Sequence, residues 1–308
     1  MTRFAIPLVL LYLLWCGSAA AQVATTDLVP AAPRLLHPTA TGFNSANFTP
    51  DNPAALAWGM PSRIGGGILQ GELSDNINPA QSFDYDGRFF GLRLVGEAFG
   101  FAVAHQAVED DAGLGLTVDE SSDAQLSLKL GDVLALGVGV GAIESETSQA
   151  EMDRISAGAS LRLGEIFYLG AGLHRDDAEF VGVTQTVERD VTMVGVAMRT
   201  EGDWNWYLAY DVVDLDDFEF PGGGPGRGFK VSTATVQVLA GSLLIGASLS
   251  DVEASGTTDD ISSRTIDFGW APMEGLTLTA RHLRTESEQA GVTEETAETT
   301  SVAVAWLF

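Results

Sequence analysis

The sequence predicts an all-β fold: a transmembrane antiparallel β-barrel of about 14 strands with an amino-terminal plug segment. Three observations carry that expectation. From residue 64 onward the chain falls into short runs in which apolar residues alternate with small or polar ones, the period of a strand, and no stretch keeps a helical period. The links between those runs are short and long in turn. The chain also closes on a strand that alternates to its last residue, with Phe308, Trp306, Val304 and Val302 on one side and Leu307, Ala305, Ala303 and Ser301 on the other. In a water-soluble sheet such an aromatic edge invites aggregation, whereas a barrel pairs its last strand with its first and turns the oily side to lipid.

In chain order, residues 1–21 read as a secretory leader: Arg3 supplies the charged start, 4–15 the apolar core, and Ala19, Ala20 and Ala21 a small-residue cleavage site before Gln22. That apolar run is too short to span a bilayer. The only cysteine, Cys16, lies inside it, and the bulky Trp15 before it argues against lipidation there. An exported mature chain without cysteine suits a barrel, which needs no disulfides. The composition is 45% apolar, yet no later run approaches the length of a membrane helix, so a membrane role has to come from strands. A net charge of −26 excludes nucleic acid as a partner. The acids crowd the links, as in Glu109-Asp110-Asp111, Asp176-Asp177, Asp259-Asp260 and Glu294-Glu295.

Residues 22–61 form the expected plug. They are dense in proline (Pro30, Pro33, Pro38, Pro50, Pro53 and Pro61), show little alternation, and mix small residues with isolated aromatics such as Phe43, Phe48 and Trp58. The barrel is expected over 62–308. Its strands are expected at 64–73, 87–95, 99–107, 124–131, 134–144, 154–163, 166–175, 189–200, 204–213, 229–240, 243–252, 263–271, 276–285 and 298–308. Tight links at 96–98, 132–133, 164–165, 201–203, 241–242 and 272–275 alternate with long ones at 74–86, 108–123, 145–153, 176–188, 214–228, 253–262 and 286–297. This is the rhythm of periplasmic turns on one rim and external loops on the other.

Alternation assigns the faces. In the ninth strand Trp204, Trp206, Leu208 and Tyr210 point to lipid and Tyr207, Ala209 and Asp211 to the lumen. The fifth puts Gly137, Gly139 and Gly141 inside, and in the first strand Gly65-Gly66-Gly67 marks a bend or a close approach by another segment. Charged groups are expected inside, because an Arg or Lys on the lipid face costs roughly 2 to 4 kcal/mol near the bilayer centre. The lumen-lining set is Arg93, Lys129, Arg162, His174, Arg199, Asp211, Asp267 and Arg281. These residues either guide an anionic group or bridge one another, while the inward glycines and alanines leave room for a cavity or a plug.

No catalytic or metal-binding constellation stands out. His37, His105, His174 and His282 are scattered singly, without the spacing of a zinc motif, and the glycine-rich stretch at 222–228 lacks the Lys-Ser/Thr of a phosphate loop. The sequence therefore predicts no metal, no cofactor and no enzyme. The acidic links lack the ligand order of a calcium loop and read as solvated.

Two resemblances sharpen the expectation. The set Val302, Val304, Trp306 and Phe308 resembles the terminal aromatic signature that the assembly machinery of bacterial outer-membrane barrels reads. It implies that machinery, outer-membrane lipid and lipopolysaccharide as partners. Asn52-Pro53-Ala54, with Leu56 nearby and the first strand just beyond, resembles the hatch motif of the outer-membrane long-chain fatty-acid transporter (FadL) family, whose members place a hatch in a fourteen-stranded barrel. That resemblance implies hatch roles for Asn52, Pro53 and Ala54. It also implies transport of small hydrophobic molecules such as fatty acids through a hatch-lined pocket, with lateral release through the wall. The alternatives are a general diffusion porin and a structural or adhesion barrel that meets partners through its acidic loops.

Overall fold

The structure is a computed structural model and describes residues 22–23, 44–45, 49–58, 62–75, 83–110, 120–145, 150–180, 186–200, 204–215, 219–220, 224–225, 228–254, 259–273, 276–289 and 292–307. The expected leader, most of the expected plug and Phe308 lie outside these residues.

Fourteen strands close into one barrel: β1 Arg63–Asp75, β2 Phe83–Val95, β3 Phe99–Asp110, β4 Glu120–Leu130, β5 Leu134–Ser145, β6 Ala150–Leu163 and β7 Phe167–Phe180, followed by β8 Val187–Arg199, β9 Trp204–Leu215, β10 Phe229–Ala240, β11 Leu243–Ala254, β12 Asp259–Met273, β13 Leu276–Gln289 and β14 Val292–Leu307. Each strand pairs antiparallel with the next, and β14 returns to β1 in a register that sets Trp306 opposite Ile64 and Val302 opposite Ile68. No edge is left open, which is what allows the backbone to sit in hydrocarbon.

Among the described residues, tight links at 96–98, 131–133, 164–166 and 241–242 join strands on one rim. Three of them carry a glycine at positive φ, Gly131, Gly164 and Gly241, where a side chain would be strained. From that rim a belt of outward apolar residues rises on every strand, for example Trp204, Trp206, Leu208 and Tyr210 on β9 and Trp270, Phe268 and Ile266 on β12. On β9 the outward apolar positions continue to Val212, so at the usual strand tilt the belt is on the order of 20 Å tall, the scale of the apolar band of an outer-membrane barrel.

On the other rim the strands run past the expected ends. β2 begins at Phe83, β7 continues to Phe180, and β13 and β14 extend to Gln289 and from Val292, so the expected link at 286–297 is mostly paired strand. The physical reason is an inversion of polarity. Above the belt the outward positions become acidic, as at Glu144, Glu151, Glu188 and Asp251, while the inward ones become apolar, as at Ile143, Met152, Val187 and Val252. The pairing continues, but the apolar-outward pattern that marks a strand in lipid stops.

The close approach expected at Gly65-Gly66-Gly67 involves the neighbouring strands rather than another segment. A Cβ on Gly67 would run into the Phe89 ring of β2 and Ala303 of β14.

Candidate functional site

Residues 49–58 are all buried and lie against the inner face of β3 to β6. The segment is held by its own sequence. Pro53 opens a 3-10 helix, Pro53–Ala57, with the restricted φ that the first helical position favours. Asn52 caps it: its side-chain oxygen accepts from the Ala54 backbone N–H at 3.1 Å, and its Nδ2 donates to the Ala159 carbonyl of β6 at 3.1 Å. One residue thus caps the helix and pins it to the wall. Gln125 Nε2 donates to the Pro50 carbonyl at 2.6 Å, and His174 Nε2 lies 2.6 Å from the Asp51 carbonyl oxygen.

The wall is shaped to receive this segment. A Cβ at Gly158 would overlap the Asn52 side chain, one at Gly137 would overlap the Pro53–Ala54 backbone, and one at Gly100 would come within 2.8 Å of Leu56. Beyond the helix, Trp58 meets Tyr168 edge-on at 6.5 Å between ring centroids. Lys129 Nζ lies 5.4 Å over the Trp58 ring and Arg162 5.9 Å from the Tyr168 ring, a pair of cation–π contacts. Leu56 and Trp58 join Tyr168, Ala197, Tyr207 and Ala209 in one apolar cluster on the inner face.

Three further features surround this segment. The inner face of the upper rim carries apolar clusters: Val191, Met193, Val213 and Leu215 in one, Val231, Val252, Ile261 and Leu283 in another, with Phe229 against both. Between this mouth and the turn rim, β10 to β13 present a polar wall, including Thr233 bonded to Ser250 at 2.8 Å and Thr235 donating to Ser248 at 3.1 Å. On the outer face a groove of about 920 Å³ crosses β1 to β6, lined by Ile64, Phe90, Leu92, Val103, His105 and Val140 among others.

Solved structures share this architecture. The chain superposes on a Pseudomonas aeruginosa FadL homologue with a TM-score of 0.58 at 10% identity, covering 94% of this chain and 100% of that one. It superposes on the Pseudomonas putida toluene transporter TodX with a TM-score of 0.52 at 10% identity, covering 92% and 99%. For the CymD monoaromatic hydrocarbon channel the TM-score is 0.55 at 11% identity, covering 83% and 91%. The fold is that of the FadL-type channels. No protein-family model and no curated protein matches the chain.

Within the barrel the expected lumen residues fall into three groups. Lys129 and Arg162 flank the Trp58–Tyr168 contact, and His174 anchors Asp51. Asp267 and Arg281 form a buried ion pair at 2.5 Å, to which Gln237 adds a hydrogen bond at 3.2 Å. Arg93 is buried directly opposite Arg63, Arg199 sits at the turn end of β8 opposite Tyr207, and Asp211 is buried opposite Gly195. Val302, Val304 and Trp306 face outward in the belt. Sequence reasoning missed a buried ionic cluster. Arg154 Nε donates to Asp176 at 2.6 Å, and Arg189 approaches the same carboxylate at 3.6 Å. The expected strand ends at 154, 175 and 189 placed these residues on the margin of the links, although Arg154 keeps the inward parity of Arg162.

Proposed function

We propose that this protein is an outer-membrane channel for small hydrophobic molecules, with residues 49–58 acting as part of a hatch below an apolar mouth. The observation that carries the reading is the polarity of the upper rim. There the strands stand above the belt, water surrounds them, and nothing about lipid requires their inner face to be apolar. A diffusion pore for polar solutes gains nothing from Val191, Met193, Val213, Leu215 and Phe229 at its mouth, whereas a hydrophobic solute is desolvated there. The TodX and CymD names state hydrocarbon transport for those proteins, which supports the class.

The test is conductance in planar bilayers together with uptake of a hydrophobic probe. The intact protein is expected to conduct ions poorly and to carry the probe into vesicles. Deleting 22–61 is expected to raise the ion conductance. Open-pore conductance by the intact protein, unchanged by the deletion, would return the reading to a porin.

A further inference from the structure

At the top edge of the belt most strands present an acid outward, among them Glu72, Glu120, Glu144, Asp153, Asp190 and Asp251. On β12 and β13 the pattern breaks. Arg264 and Arg284 stand directly opposite each other, both outward. Two like charges in that position repel, so their pairing needs a cause. Glu286 supplies the means: one of its oxygens lies 3.1 Å from Arg264 Nη2 and the other 2.6 Å from Arg284 Nη2, while Arg284 Nη1 reaches Glu298 at 3.0 Å. The clamp lies beneath the cations. Glu286 is 16% exposed, against 64% for Arg264, 46% for Arg284 and 45% for Glu298 in their side chains, so the most exposed group of the cluster is the Arg264 guanidinium, with Arg284 beside it held between the two carboxylates.

Height decides what those donors meet. Leu249 pairs directly with Arg264 and Ile266 is the next outward residue below it, while below Arg284 the outward positions pass through His282 and Thr300 to Val302; Leu249, Ile266 and Val302 are exposed on the lipid side. The two guanidiniums therefore sit where acyl chains give way to headgroups, the level at which a lipid carries its phosphate. A planar guanidinium fork matches a phosphate with paired hydrogen bonds, and a fork held in place by Glu286 loses little freedom on binding. We propose that Arg264 and Arg284 form a binding site for the phosphate of a phosphorylated lipid of the outer leaflet, whose acyl chains lie along Leu249, Ile266 and Val302. Another outward arginine, Arg175, makes the contrast: it lies 2.6 Å from Glu188 and 3.7 Å from Asp190, two acids on one cation.

The site rests on the outer-membrane reading, with the turn rim facing the periplasm, and not on what the lumen carries, so lipid retention and conductance succeed or fail separately. The experiment incubates the folded mature protein in neutral detergent with diphosphoryl lipid A, with its dephosphorylated form, or with phosphatidylethanolamine, and counts retained lipid by native mass spectrometry. R264Q/R284Q is expected to lower retention of diphosphoryl lipid A about tenfold, R264K/R284K to keep most of it, and R175Q to leave it unchanged. Equal retention by R264Q/R284Q and the parent overturns the site. So does an equal loss in R175Q, which would mean general surface charge, or equal retention of the dephosphorylated lipid, which would mean acyl contacts alone. Heat-modifiable electrophoretic mobility reports folding. Should R264Q/R284Q not fold, Glu286→Gln, which releases the clamp and keeps both cations, reads the same site: a several-fold loss of retention supports it and unchanged retention overturns it.

Discussion

Gly195 and Asp211 face each other across β8 and β9, and a Cβ on the glycine would overlap the aspartate carboxylate. The same pairing recurs inside the barrel: Gly67 lies under Phe89, Gly71 under Tyr85, Gly172 beside Met193 and Gly246 beside Gln237. The space that inward glycines leave is thus filled by the large residue opposite, or by residues 52–54 at Gly137 and Gly158, rather than left as a cavity. Sequence alternation puts these glycines inside, but it does not say what lies across the strand, because that depends on register. Gly158→Leu is therefore expected to push Asn52 from the wall and raise ion conductance, while the barrel still folds; conductance at the parent level would mean that the segment tolerates the intrusion. The Asp267–Arg281 pair makes a second residue-scale prediction. Both side chains are buried, so Arg281→Gln strands a carboxylate and is expected to cost about 3 to 5 kcal/mol of unfolding free energy. D267N/R281Q is expected to recover most of that, read from urea midpoints of the two variants side by side.

At the scale of elements, the 3-10 helix Pro53–Ala57 has one turn and no stability of its own; its position comes from two strand side chains, Gln125 on β4 and His174 on β7, and from its own cap Asn52, which reaches β6. Removing the donors in Q125A/H174A is expected to loosen the segment, seen as flickering single-channel openings that the parent lacks. The short segment Asn52-Pro53-Ala54 was legible as a motif because cap, proline and small residue each have a local reason to stand in that order. Its anchors were not legible, since Gln125 and His174 lie more than seventy positions away in the chain and nothing local marks them. The strands divide in the same way. Their turn ends match the expectation to within two or three residues, because there lipid enforces apolar residues on the outside, and their upper ends do not, because above the belt the rule reverses.

For the whole molecule, the closing β14–β1 pair and the belt make one continuous surface, so the effect of a charge depends on height. Val304→Lys, in the middle of the belt, is expected to destabilise the folded protein by roughly 2 to 4 kcal/mol, and Glu298→Lys, above it, by less than about 1 kcal/mol. Equal effects in lipid-vesicle unfolding would mean that the belt does not meet hydrocarbon. Strand number and face were readable because they follow from a period of two. The mouth was not, because stretches such as Val187-Glu188 and Asp259-Asp260-Ile261 fall in the expected links at 176–188 and 253–262 and read as loop unless one already knows they stand in water. The strands that overshoot the belt form a hydrogen-bonded chimney, charged without and lined within by apolar clusters that enclose the Arg154–Asp176–Arg189 ion group, raised clear of the bilayer surface. Its rim is out of reach of molecules already dissolved among the acyl chains. Whatever descends through it has to arrive from the aqueous side, having exchanged its water for side chains before it reaches the level of the membrane.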